Sequence, residues 1–154
     1  MVDKCVLGLL LGLLPGFEPR YAAPLLIACY GAVGAAAAVA EAVALAAALS
    51  LLVDRLWGLL LHASRRLRPL SVLVARVEKA RARASGLVER YEALGLALFV
   101  AVPLPVTGIY TGAAVALLLG LPRRASFAAL AAGGVASVLL TSLLAGGARA
   151  VIGG

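Results

Sequence analysis

The sequence predicts an all-α integral membrane protein built as an inverted repeat. Each of the two units is expected to be a re-entrant helical hairpin followed by one transmembrane span, and a basic amphipathic cytoplasmic helix is expected to join them. Three observations predict this architecture. The composition is strongly apolar, two hydrophobic segments are interrupted by proline-rich polar sequence, and most basic residues are concentrated in one connecting segment.

The composition by itself excludes an ordinary soluble domain. Hydrophobic residues make up 64% of the chain and charged residues only 14%, whereas a soluble domain has about 45–50% apolar and about 25% charged residues. The chain (1–154) is therefore expected to form a single multi-pass domain in the cell membrane, with membrane lipids as its surroundings. Because it is short for a transporter, a homodimer is one alternative for the working unit.

The two interruptions are LLPGFEPRYAAP, Leu13 to Pro24, and VAVPLPVTGIYTG, Val100 to Gly112. The apolar stretch from Cys5 to Leu14 gives about 15 Å of helix, against a hydrocarbon core of about 30 Å. Irregular backbone at membrane depth is tolerated only where protein or a water-filled cavity covers it, so each interruption predicts the tip of a re-entrant hairpin. The residues expected to shape the tips are Pro15, Gly16, Pro24, Pro103, Pro105, Gly108 and Gly112.

The first unit is predicted to cover residues 4–57. A break at Gly31–Gly34 separates the hairpin from a span at about Ala35–Trp57, which ends in an interfacial Asp-Arg-Leu-Trp sequence. The only two cysteines, Cys5 and Cys29, lie inside apolar stretches. Their spacing suggests neither a metal site nor a disulfide, and we expect two small, lipid-buried side chains.

The connector, residues 58–92, carries eight basic and three acidic residues. The positive-inside rule therefore places it in the cytoplasm. Its apolar residues recur at three- and four-residue steps opposite arginines, which predicts an amphipathic helix on the anionic inner leaflet. Aromatic residues are not interleaved with the basic ones, so nucleic acid is not an expected partner.

The second unit, residues 93–145, repeats the pattern of the first. Its predicted elements are a short helix at Ala93–Val102, a proline break, a returning helix at Val106–Leu119 and a span at about Ala125–Ala145. Arg123 and Arg124 predict that the returning helix ends on the cytoplasmic side. The last span then crosses outward, so the tail (146–154) and both termini are expected outside.

The first tip carries two charged residues, Glu18 and Arg20, which a hairpin would hold near the membrane midplane. Charges at that depth are costly, and they usually pair or line a polar cavity. We expect Arg20 to be a fixed cation able to hold a phosphate or carboxylate, and Glu18 to be a titratable group that trades a proton with the substrate. Two alternatives are that these residues only neutralise each other, or that the segment is an external loop in water.

The second tip supplies Thr107, Tyr110 and Thr111, together with backbone groups freed by the prolines. Thr107 is expected at the N-terminus of the returning helix, where it would be a cap and would face an anion. Glu41 lies inside the first span without a local basic partner. It is either a second proton or cation site or the partner of a distant arginine such as Arg149.

These motifs resemble the small multidrug export protein family. The segment EPRYAAP (18–24) resembles its E-x-R-x-A-x-P element, and YEALG (91–95), FVAVPLPVTG (99–108) and YTG (110–112) resemble its second element. The resemblance covers nearly the whole chain and implicates Glu18, Arg20, Pro24, Pro103, Pro105, Thr107, Gly108, Thr111 and Gly112. The family is distantly similar to the DedA and VTT-domain membrane proteins, which share facing re-entrant hairpins and include lipid scramblases and polyprenyl-phosphate flippases.

The favoured functional prediction is a proton-coupled transporter or flippase that moves an amphiphilic anion, such as a lipid-linked phosphate, through a midplane site between the hairpins. One alternative is a cationic drug/proton antiporter that uses Glu18 and Glu41. Another is a membrane scaffold that transports nothing. An enzyme is not expected, because no His, Cys or Ser is placed with a base, and neither a metal site nor a cofactor is predicted.

Overall fold

The computed structural model describes residues 4–14, 17–64, 71–72, 74–75, 78–79, 86–104 and 107–152. Its helices are α1 (Lys4–Gly12), α2 (Glu18–Tyr30), α3 (Ala32–Ser64), α4 (Gly86–Ala101), α5 (Ile109–Leu119) and α6 (Arg123–Ile152). These described residues contain no strand, so the predicted all-α class is confirmed for them. Residues outside the described part of the chain include Pro15, Gly16, Pro105 and, within the predicted connector, residues 65–70, 73, 76–77 and 80–85.

Helices α1 and α2 pack against each other as a hairpin. In the turn between them, the Leu14 carbonyl accepts hydrogen bonds from the backbone N–H groups of Phe17 (3.1 Å) and Glu18 (3.2 Å), and Glu18 has a left-handed φ of +47°. Pro19 fits the first turn of α2, where backbone N–H groups have no partner within the helix. The expectation that the tip extends to Pro24 is wrong, because α2 has already begun at Glu18 and contains Pro24.

A disulfide links the two arms of this hairpin. It joins Cys5 to Cys29, whose Cα atoms are 6.1 Å apart, so the expectation of two separate lipid-buried cysteines is wrong. Because the chain folds back near Phe17, residues at equal sequence distances from that point lie opposite each other on the two helices. Each cysteine is twelve residues from Phe17. This equal spacing is the feature of the sequence that could have predicted the disulfide.

The predicted break after the first hairpin is present at Gly31, which ends α2 with a φ of +56°. A glycine adopts this left-handed conformation without the clash that a Cβ would cause. Helix α3 begins directly after it and runs to Ser64, so it exceeds the predicted span of Ala35–Trp57 at both ends. Its 33 residues contain no proline to end the helix and give a length of about 50 Å.

The second hairpin consists of α4 and α5, and its break lies where the prolines predict it. Helix α4 ends at Ala101, two residues before Pro103, because a proline lacks the N–H group that would continue the helix. Helix α5 starts at Ile109, three residues later than expected, and ends at Gly120, which has a left-handed φ of +70°. Helix α4 starts earlier than predicted, at Gly86.

Helix α6 holds the two hairpins together, since it packs against α2, α3, α4 and α5. Its glycines allow close approach: a Cβ on Gly133 would lie 2.6 Å from the Ala97 carbonyl oxygen and 2.7 Å from the Val100 Cβ. Small residues of this kind let membrane helices pack backbone to backbone. Two segments, Ala32–Leu59 and Arg123–Gly146, are long and apolar enough to cross a membrane.

Gly34 provides a test of this packing. A Cβ at Gly34 would overlap the Leu26 backbone carbonyl, whereas Gly58 in the same helix has nothing within 4 Å of such a Cβ. Each Gly→Ala change gains about 1 kcal/mol of helix propensity, but overpacking at Gly34 costs about 1–3 kcal/mol. We expect Gly34→Ala to unfold at a lower temperature in detergent than Gly58→Ala, as measured by thermal aggregation. Equal midpoints would contradict the close α2–α3 contact.

Candidate functional site

The tips of the two hairpins meet through the side chain of Arg20, which is only 3% exposed. Its Nη1 donates hydrogen bonds to the carbonyl oxygens of Val102 (3.3 Å) and Thr107. Its Nη2 donates to the carbonyl oxygen of Leu104 at 2.9 Å. All three acceptors belong to the break between α4 and α5, so a side chain of the first half supports the backbone of the second.

The carbonyls that Arg20 binds lie in the proline break, where those of Val102 and Leu104 also accept hydrogen bonds from the backbone N–H groups of Leu104 (2.9 Å) and Thr107 (3.2 Å). Pro103 cannot donate to a preceding turn, and the last carbonyl groups of any helix lack partners within it. Thr107 completes the arrangement, since its Oγ1 donates to the Val102 carbonyl and accepts from the Leu104 N–H at 3.2 Å. Unpaired backbone groups in a site without water would cost free energy, and these contacts avoid that cost.

The expected capping role of Thr107 is wrong. The N-cap of α5 is Gly108, and the Thr107 hydroxyl points back to the end of α4 instead. The hydroxyl that serves the start of α5 is that of Thr111, which accepts a hydrogen bond from the Gly108 N–H at 2.8 Å. Both threonines therefore bond backbone groups of their own hairpin.

The carboxylate of Glu18 occupies the position at which an anion was expected. Glu18 is 5% exposed, and its carboxylate lies so close to Gly108 that a Cβ there would overlap it. The start of a helix carries a partial positive charge, which stabilises a carboxylate nearby. The Arg20 Nε is 3.4 Å from Glu18 Oε2, within ion-pair distance but without hydrogen-bond geometry. The Glu18 carboxylate thus lies at the N-terminal end of α5, where an external anion was expected to bind.

Unlike Glu18, Glu41 has no charged or hydrogen-bonded partner among the described residues. It is 8% exposed, and neither carboxyl oxygen has a hydrogen-bond partner among the described residues. Its carboxyl group lies against α1, where a Cβ on Gly12 would be 2.6 Å from Oε1. The alternative that Glu41 pairs with Arg149 stays a prediction, because the side chain of Arg149 lies outside the described residues.

Tyr110 connects the first hairpin to an apolar groove. Its hydroxyl donates to the carbonyl of Leu13 in the first hairpin. The groove lies between α3 and α5, encloses about 250 Å³ and is lined by Tyr110 and by Leu49, Leu52, Val53, Leu56, Ala113, Ala114 and Leu117. A polar site beside an apolar groove suits an amphiphilic molecule.

A second, narrower space adjoins the ion pair. Glu18, Arg20 and Ser137 line a crevice with no room for a water molecule. Within the described part of the chain, the Ser137 hydroxyl and the Arg20 Nε have no hydrogen-bond partner. Sequence analysis missed Ser137, although a serine one helical turn after Gly133 faces the same packed interface. Among the described residues no group of three His, Cys, Asp or Glu could hold a metal ion.

The chain matches a known family over most of its length. A family model described as "Putative small multi-drug export protein" matches residues 18–140. The matched range includes both hairpin tips from Glu18 onward, Glu41 and Ser137. No curated protein and no solved structure matches the chain.

Arg20→Ala tests the contact between the hairpins. Removing the guanidinium takes one hydrogen-bond donor from each of three backbone carbonyls and takes the charge partner from the Glu18 carboxylate, and breaking a buried charged pair costs about 3–5 kcal/mol. We expect the unfolding temperature in detergent to fall by roughly 10 °C. Arg55, an exposed arginine of α3, supplies the matched control Arg55→Ala. If both variants unfold at the same temperature, Arg20 does not hold the hairpins together.

Proposed function

Because the chain belongs to the family of small multi-drug export proteins, we propose that it is a membrane transporter that exports an amphiphilic cation in exchange for protons. Glu41 is the exchangeable carboxyl group. The observation that carries this proposal is the burial of Glu41 without any hydrogen-bond donor among the described residues. Every other charged group at the hairpin tips already has a partner within the chain.

An unpartnered carboxyl group at this depth supports exchange for a physical reason. Burying an ionised carboxylate alone is costly, and such a group normally binds a proton instead. A cation that enters beside Glu41 supplies the missing charge partner, so the carboxyl group releases its proton. Cation and proton then compete for one site, and this competition is the minimum requirement for exchange. The apolar groove at Tyr110 would hold the apolar part of the cation.

A second candidate, an amphiphilic anion such as a lipid-linked phosphate, is favoured by a different observation. The Arg20 Nε and the Ser137 hydroxyl are unpartnered donors that line the same crevice. An anion could reach them only if it displaced Glu18 and the hairpin tips moved apart, because the crevice is closed. The cation is preferred, because Glu41 lacks a hydrogen-bond donor among the described residues, whereas Glu18 already occupies the position that an anion would need. If the protein transports neither substrate, the remaining candidate function is a membrane scaffold.

The proposed membrane placement puts the hairpin tips near the midplane as re-entrant hairpins that enter from opposite faces. The structure supports it in two ways. Glu41 lies near the middle of the apolar part of α3, level with the tip residue Gly12. The disulfide at the far end of the first hairpin suits an oxidising outer compartment, and Arg123 at the opposite end suits the cytoplasm. The inverted repeat and the similarity to DedA and VTT-domain proteins remain predictions.

Cysteine labelling tests this topology. In a Cys5→Ser/Cys29→Ser background, Val33→Cys reports on the turn before α3 and His62→Cys on the far end of that helix, and both positions are exposed. We expect a membrane-impermeant maleimide to label position 33 in intact cells and position 62 only after the membrane is opened. Labelling of both positions from the same side would contradict a spanning α3.

Glu41→Gln tests the exchange. Proteoliposomes with an acidic interior and the wild-type chain should accumulate ethidium as protons leave, whereas Glu41→Gln keeps the side-chain shape but cannot exchange a proton. We expect the variant to lose gradient-driven accumulation while its unfolding temperature in detergent stays within a few degrees of wild type.

The matched control is Glu89→Gln, the same change at the cytoplasmic end of α4, which should accumulate ethidium like wild type. Accumulation that survives in Glu41→Gln would contradict the role of Glu41. An inactive wild type that still unfolds cooperatively would contradict cation export and leave the anion or scaffold candidates.

A further inference from the structure

A further cavity lies away from the hairpin tips, between α3 and α6. It encloses about 390 Å³ and is lined by Ala47, Ser50, Arg123, Arg124 and Phe127. Both arginines are exposed, and in the described part of the chain the ion pair between charged side chains is that of Arg20 with Glu18. The cavity thus combines an apolar wall with two cationic groups that form no ion pair with any described residue.

The depth of this cavity follows from the helix geometry. Ser50 is nine residues after Glu41 in α3, and Arg123 is eleven residues before Gly134 in α6. At 1.5 Å per residue these steps are about 14 and 16 Å. Because Glu41 and Gly134 lie at the level of the hairpin tips, both steps match half of a hydrocarbon core of about 30 Å. The cavity therefore lies where lipid phosphate groups are found.

We propose that this cavity binds the phosphate group of an anionic lipid from the cytoplasmic leaflet. Guanidinium groups bind phosphate oxygens through paired, charge-assisted hydrogen bonds, and basic cavities between membrane helices on the cytoplasmic side are suited to anionic head groups. Ala47 and Phe127 would contact the first part of the lipid's apolar chains. The inference uses the membrane placement described above but not the identity of the exported substrate.

The Ser50 hydroxyl forms the floor of the cavity rather than a ligand. Its hydrogen is donated to the Ala47 carbonyl at 2.9 Å, so it has no hydrogen left for a phosphate oxygen. The two arginines therefore supply the binding, and the shape of the cavity supplies the space for the head group. Charge and volume can be changed separately, which makes the proposal testable in two ways.

The charge is tested with the purified full-length chain in detergent, by native mass spectrometry after addition of phosphatidylglycerol or phosphatidylcholine. We expect wild type to retain phosphatidylglycerol in preference to phosphatidylcholine. The variant Arg123→Ala/Arg124→Ala should retain roughly tenfold less phosphatidylglycerol. The control Arg55→Ala/Arg90→Ala removes the same charge from exposed positions outside the cavity and should behave like wild type.

The volume is tested with Ala47→Leu, which fills the cavity without changing any charge. We expect it to reduce phosphatidylglycerol retention, while Ala48→Leu on the exposed neighbouring position should leave retention unchanged. Equal losses in the cavity variants and their controls would overturn the site. If millimolar inorganic phosphate is retained in place of the lipid, the lipid assignment is overturned and a soluble phosphate is the ligand.

Discussion

Backbone carbonyl groups that are buried away from water need hydrogen-bond donors, and the proline break of the second hairpin leaves three such groups that Arg20 binds. The donor comes from the other half of the chain, which fixes the relative position of the two hairpins. Glu18 then balances the guanidinium charge and occupies the start of α5. The close packing of α6 across both hairpins depends on this arrangement.

The two buried acids differ in their surroundings. We therefore interpret Glu18 as structural and propose a functional role for Glu41. Glu18 has a cation beside it and a helix start in front of it, so its charge is compensated. Glu41 lies against the backbone of Gly12, and among the described residues its carboxyl oxygens have no hydrogen-bond partner. In both cases a glycine provides the space for the carboxyl group. The glycines of these hairpins therefore determine where polar groups can be buried, in addition to how closely helices approach.

Much of this fold is predictable from local sequence. The proline break at Pro103, the turn at Gly31 and the two long apolar helices follow from residue types, because proline, glycine and apolar length act locally. The Cys5–Cys29 disulfide and the hydrogen-bond partners of Thr107 were not predicted, because each depends on which helices pack together. For the same reason the sequence left Glu41 open between a proton or cation site and pairing with a distant arginine. Arg20 was recognised as important, but its partners proved to be backbone carbonyls distant in the sequence, which composition and spacing do not specify.

The contact between Arg20 and the second break also has a consequence for biogenesis. The first hairpin is synthesised before residues 102–107 exist, so Arg20 enters the membrane without its three final acceptors. During that interval Glu18 is the charged group nearest in sequence, and a neutralised pair is less costly to insert than an isolated guanidinium. The acid two residues before the arginine can thus neutralise it during insertion, and it stays its ion-pair partner in the folded chain.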